Sequence, residues 1–217
     1  MSSGDRVRAR GVFGFLVELV LIFVAVFLAL LANNWQQSRE HQAKTQEALR
    51  NFLSEIETNL KATQDVRAYH EQLAKQLDQF LSSSEPATEE RIAREVHFTG
   101  IHPVDYEHTA YDLALATQAL SYLPQDLAFD VSKVYKKQAS FQNLENTFLA
   151  ALYSAGAMST GNVKAFAGAL RLYLGDVNVA EPALIDSYQK VIPLLKGAIQ
   201  TESGDSWPHF FKHPGRR

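Results

Sequence analysis

Residues 12–32 are apolar at every position but one, Glu18, and the pattern changes abruptly after them. At about 1.5 Å per residue, such a run is long enough to cross a hydrocarbon core of about 30 Å as a helix. Beyond it, Leu49, Leu53, Ile56 and Leu60 step by four, three and four, and Val66, Tyr69, Leu73, Leu77 and Phe80 resume the stripe. That is the helical period. No glycine or proline interrupts residues 15–85, so the span is expected to run directly into a long amphipathic helix. Ser82, Ser83, Ser84 and Pro86 then end it.

The same reading predicts a short helix over 88–96, a turn over 100–103 and a helix over 106–120. Pro124 suits a first helical position. Behind it Leu127, Val131, Val134, Phe141, Leu144, Phe148 and Leu152 mark a second long helix, broken over 156–161 by two glycines. Val163, Phe166, Leu170 and Tyr173 line a further helix that Gly175 is expected to close. Pro182 is expected to open the last one, through Leu184, Tyr188, Val191 and Leu195, with a kink at Pro193. No segment alternates with period two. The fold class is therefore all-α: one N-terminal transmembrane helix, continuous with a long helix of an extramembrane antiparallel helical bundle. The expected divisions are a tail at 1–11, the span at 12–32, the bundle at 33–202 and an irregular tail at 203–217. That last tail mixes Trp207, Phe210 and Phe211 with basic residues and prolines.

Charge sharpens the membrane reading. The chain of 217 residues has a net charge of −3 and no cysteine, which excludes thiolate catalysis, thiolate zinc sites and disulfides. Arg6, Arg8 and Arg10 crowd the first flank of the span, so the positive-inside rule places the N-terminus in the cytoplasm and residues 33–217 outside it. A cleaved signal peptide would need an apolar run of only about 7–15 residues and a small-x-small site. Leu30 and Leu31 spoil that site, so the span is expected to stay as an anchor. Asn33, Asn34 and Trp35, at its exit, suit the outer interface. The mildly acidic remainder has no basic stripe for nucleic acid.

Two stretches resemble a family of uncharacterised bacterial single-span membrane proteins. ELVLIFVAVFLALLANNW, residues 18–35, resembles its N-terminal signature of a glutamate, an aliphatic run and an Asn-Asn-Trp exit. TAYDLALATQALSYLPQDLAFDVSKVYKKQ, residues 109–138, resembles its second block, in which a tight turn joins two helices; Gln118 stands here where the pattern expects glycine. The resemblance implies anchorage in the bacterial inner membrane and a periplasmic helical domain, and it carries over no catalytic residue.

Candidate chemistry is sparse. His97, His102 and His108, with Asp105 and Glu107, form the densest local set of metal-ligand types, but their spacings straddle a Gly-Pro turn and fit no ligand register. Surface histidines are the expected account. Glu89, Glu90 and Glu95 alternate with Arg91 and Arg94, which reads as a solvated face. Ser82 to Ser84 lack a nucleophile elbow, and the glycines of 156–161 lack a phosphate-loop lysine. No catalytic residue, metal or cofactor is expected. A ligand-sensing bundle would need a convergent polar set between the long helices, and the apolar stripes display none.

What remains is the span itself. Gly11, Glu18, Ala25 and Ala32 recur every seven residues, and Gly14 and Ala29 flank that line. The acid thus lies on the one small-residue stripe of a helix otherwise covered by Leu, Val, Ile and Phe. Small residues allow close approach of a second helix in lipid. The expected function is an accessory or interaction subunit, bound to the lipid bilayer and to other membrane proteins or copies of itself through this helix.

Overall fold

The computed structural model describes residues 3–154 and 162–204, with side chains at 17–154 and 162–201. Among the described residues there are helices and no strands. The elements are α1 (Ser3–Ser82), α2 (Glu89–Glu95), α3 (Thr109–Ala116), a 3-10 turn (Ala119–Tyr122), α4 (Gln125–Tyr153) and α5 (Val163–Gly204). The break expected over 156–161 and most of the tail expected over 203–217 lie outside the described residues. The chain divides into two units, Met1–Thr45 and Gln46–Arg217, and α1 contributes residues to both.

In the second unit α1, α4 and α5 form the bundle, and their core positions follow one rule. On α1 the positions facing the core are Leu49, Phe52, Ile56, Asn59, Thr63, Val66, His70, Leu73, Leu77 and Phe80, all buried but the half-buried Val66. On α5 they are Leu170, Leu174, Val177, Glu181, Leu184, Tyr188, Val191 and Leu195. Both sets alternate steps of three and four, the seven-residue repeat that keeps one helix face against its neighbours. Each fully buried large side chain, such as Phe52 or Tyr188 at 0% exposure, contributes about 1.5–3 kcal/mol of burial.

Leu49, Ile56, Val66, Leu73, Leu77 and Phe80 of the stripe read from the sequence lie on this line, while Leu53, Leu60 and Tyr69 lie one position off it. Leu53, Leu60 and Phe148 pack against the core but are only half-buried. Following apolar residues alone misses the polar members of the line, Asn59, Thr63 and His70.

Cross-helix contacts set the directions. Glu55 meets Tyr135 and Asn59 meets Gln138, so α1 and α4 run parallel. Glu57 meets Lys196, His70 meets Glu181 and Asp78 meets Arg171, so α5 runs antiparallel to α1. It runs antiparallel to α4 as well, with Gln138 on Tyr188 and Phe148 stacked on Tyr173. The segment 83–124 carries the chain back between the parallel pair.

α5 corrects two expected boundaries. Gly175 does not close a helix and Pro182 does not open one; both lie inside α5, as does Pro193. A helical glycine costs about 1 kcal/mol and a proline about 3. Seven apolar and aromatic core positions in phase on either side of them, each contributing about 1.5–3 kcal/mol, outweigh that.

Arg91 is a further correction to the solvated-face reading. Its side chain is buried, with the guanidinium 4.3 Å from the Phe80 ring centroid. Nη2 donates to the Phe80 carbonyl at 2.9 Å and Nη1 to the Glu85 carbonyl at 2.9 Å, while Nε reaches Glu95. A cation from α2 thus satisfies a terminal carbonyl of α1, whose last turn has no basic residue of its own. Thr88 caps α2 by accepting from the Arg91 N–H at 3.2 Å. Gln118, in the tight turn after α3, has φ of 59°. It takes the left-handed conformation that glycine adopts freely and that costs other residues about 1–2 kcal/mol.

Candidate functional site

Two places concentrate unusual chemistry: the N-terminal stretch of α1 and the polar layers of the bundle. In the first, every side chain of 17–40 is exposed, including Phe23 at 73% and Leu21 at 64%. One helix beginning near the N-terminus is long and apolar enough to cross a membrane, and none of its apolar window is buried. Glu18, Ala25, Ala29 and Ala32 lie on this exposed stretch, and no described residue pairs with Glu18. Gly11 and Gly14 lie on the same helix. Trp35 is exposed beside Asn33 and Asn34, with the Arg39 guanidinium 4.5 Å from its ring centroid.

The polar layers overturn the expectation that no polar set converges between the long helices. They arise from residues 96–108, which form no regular structure yet bury Val96, Ile101, Val104 and Tyr106 in the core. A strap anchored by such buried residues has peptide groups facing the core with no ladder to join, so side chains must satisfy them. Asn59 does so as an amide surrogate: its Nδ2 donates to the Glu107 carbonyl at 2.7 Å and its Oδ1 accepts from the Glu107 N–H at 3.0 Å. Gln138 donates to that carbonyl at 2.9 Å and accepts from Asn59 and from the Tyr188 hydroxyl. Next to this layer Glu55 accepts from the Ala110 N–H at 2.8 Å and from the Tyr135 hydroxyl at 2.5 Å. Tyr69 donates to the Gly100 carbonyl at 2.6 Å.

The strap accounts for only part of a second layer. His70 and Glu181 are both 0% exposed, with Nδ1 2.7 Å from Oε1, and His70 Nε2 lies 2.8 Å from the Ile101 carbonyl. Glu145 Oε1 accepts from the Val104 N–H at 3.4 Å. The remaining polar atoms, Glu145 Oε2, Glu181 Oε2 and the Tyr173 hydroxyl, are buried without a hydrogen-bond partner among the described residues. Burial pushes the Glu145 carboxyl up to about 7, against the pull of the Val104 N–H and the His70 charge. Burial also disfavours charge on His70, but its bonds to Glu181 and Ile101 and the neighbouring carboxylates outweigh this and hold it above its ordinary value. Burial raises the Tyr106 and Tyr173 hydroxyls well above theirs, so both stay protonated.

The sequence does carry a signal for these residues. His70, Gln138, Glu145 and Glu181 each sit in phase with the three-four repeat, where an apolar residue would otherwise stand. The histidines singled out by sequence lie elsewhere: His97 is bonded to Gln76, His102 is stacked on Tyr69 and His108 is paired with Asp112. Among the described residues no group of three or more His, Asp or Glu side chains is placed to hold a metal. A groove of about 550 Å³ between α4 and α5 is lined by Lys133, Lys136, Lys137 and Lys190. Lys137 is bonded to Ser187 and Lys190 to Asp186, while Lys133 lies over Phe129. No family model, curated protein or solved structure matches the chain.

Proposed function

We propose that this is a non-enzymatic single-span protein of the bacterial inner membrane, an accessory subunit that associates with another membrane protein or with its own copies through the span. The observation that supports it most is the wholly exposed apolar stretch of α1 carrying one acid, Glu18, on its small-residue stripe. A carboxylate in hydrocarbon costs about 2.5–3.5 kcal/mol at mid-bilayer on insertion scales. A hydrogen-bonding group on an adjacent span offsets that cost and fixes a register between the helices. The bundle then lies in the periplasm, oriented by Arg6, Arg8 and Arg10.

Replacing Glu18 tests the contact. Glu18→Gln keeps a hydrogen-bonding side chain and is expected to retain the assembly seen in native membranes after mild extraction, whereas Glu18→Leu is expected to lose it. Full assembly of the Leu variant sinks this reading. Orientation is tested separately with reporters fused after Arg217. One that works only outside the cytoplasm is expected to be active; activity of a cytoplasm-only reporter reverses the topology.

The convergent polar layers favour a second reading, in which the bundle responds to a chemical change outside the membrane and acts through a partner.

A further inference from the structure

The bridge between His70 and Glu181 has a requirement that its geometry alone imposes. The Ile101 carbonyl can only accept, so His70 Nε2 must carry a hydrogen to bond it at 2.8 Å. Nδ1 and Glu181 Oε1 stand 2.7 Å apart, and two bare acceptors would repel at that distance. One proton must therefore lie between them, as an imidazolium–carboxylate pair or as an imidazole–carboxylic acid pair. No solvent reaches it, since both side chains are 0% exposed.

We propose that this cluster is an internal proton-binding site that couples the pH around the bundle to the seating of the 96–108 strap. With the proton held, His70 clamps the Ile101 carbonyl and Glu145 clamps the Val104 N–H. When the bridging proton leaves to water, two acceptors face one another and Glu145 ionises beside them. Two buried carboxylates then share one neutral imidazole. The His70 and Glu145 bonds to the strap need neither lost proton, so the repulsion between the carboxylates is what forces the cluster, and the strap seated on it, apart.

The groups facing the site are few. α1 supplies His70 and Tyr69, whose rings lie 5.7 Å apart, α4 supplies Glu145, α5 supplies Glu181 and Tyr173, and the strap supplies Tyr106. Neither His70 nor Glu145 has a lysine or arginine among the charges acting on it. Repulsion between the carboxylates therefore has only the bridging proton to offset it. Glu145 Oε2, Glu181 Oε2 and the Tyr173 hydroxyl have no hydrogen-bond partner among the described residues, and both carboxylates act on the Tyr173 hydroxyl.

The sign follows from linkage. His70 and Glu145 both bind their protons more tightly folded than unfolded. The stability they contribute is complete below their unfolded values and is lost as pH rises through their folded ones. For Glu145 that window ends near 7; for His70 it opens above the ordinary 6.5. Acid therefore tightens this bundle and mild base loosens it.

The test uses the full chain in detergent, with the bundle transition followed by circular dichroism from pH 5.5 to 8.5 and strap exchange by mass spectrometry. The wild-type transition is expected to fall by several degrees as pH rises. Hydrogen exchange of 96–108, corrected for its intrinsic pH dependence, is expected to rise at least tenfold. Glu145→Gln is expected to flatten the lower part of the fall. Glu181→Gln puts an amide N–H against a neutral His70 Nδ1, so no shared proton is needed, and it is expected to flatten the upper part. A wild-type transition that is level or rises over this range overturns the proposal, as does unchanged strap exchange. Neither wild-type readout depends on a variant folding. Variants that fold yet keep the full wild-type fall overturn it too.

Discussion

Phe52→Ala is expected to lower the stability of the bundle by about 3–5 kcal/mol, whereas Leu53→Ala next to it is expected to cost only about 1–2. Phe52 is 0% exposed, on the line of α1 that faces α4, and its ring lies 6.0 Å from that of Tyr135. Truncation leaves a cavity between two helices held apart by their other core residues, so the surroundings relax only in part. Leu53 is half-buried at the margin of the core, and water fills the space its side chain leaves. Denaturant unfolding of both variants in detergent checks the pair. Equal losses would place the α1 stripe midway between the two positions, contrary to the three-four repeat.

Asn59→Leu is expected to cost about 1–3 kcal/mol although leucine is the more apolar residue and fits the repeat better. The reason is the strap. Asn59 holds both the carbonyl and the N–H of Glu107 in part-buried bonds, and its loss leaves the Glu107 N–H without its acceptor. The Glu107 carbonyl keeps Gln138, so the damage is concentrated on one donor. Hydrogen exchange gives a sharper readout than the midpoint alone: the Glu107 amide is expected to lose its protection while the interior of α4 keeps its own. A variant as stable as the wild type, with that amide still protected, would show that the strap does not depend on the α1 side chain.

Polar residues at core positions are what separate the expected fold from the observed one. α4 was legible almost to its ends, because Leu127, Val131 and Val134 open an apolar run bounded by Pro124. α2 was legible from its length and from Thr88. α5 was not, because Gly175 and Pro182 weigh heavily as local punctuation, while the repeat that overrides them is visible only when Glu181 is admitted as a core residue. The same omission hid Asn59, His70, Gln138 and Glu145. Whether a polar side chain on a helix faces solvent or a buried peptide group depends on the path of residues 96–108, and no local periodicity encodes that path. Arg91 reads as part of a solvated face because the carbonyls it binds, of Phe80 in α1 and Glu85 in the connection after it, lie outside its own helix. Glu18 was conspicuous because nothing around it is polar, and its exposure in the structure leaves that contrast unchanged.

The parallel arrangement of α1 and α4 has a consequence in time. His70 and Glu181 are 111 residues apart. At a synthesis rate of about 5–20 residues per second, α1 waits on the order of ten seconds before α5 exists to cover it. α4 and α5 are neighbours along the chain and can pair as soon as both are made, whereas closing the far longer loop to α1 carries the larger entropy cost. During that interval the seven-residue repeat of α1 faces its surroundings bare. A line of leucines there would zip onto the same face of any copy nearby. Asn59 and His70 interrupt that line with groups whose partners, Glu107, Gln138 and Glu181, lie in the chain's own later segments, so α1 offers a nearby copy no unbroken apolar seam.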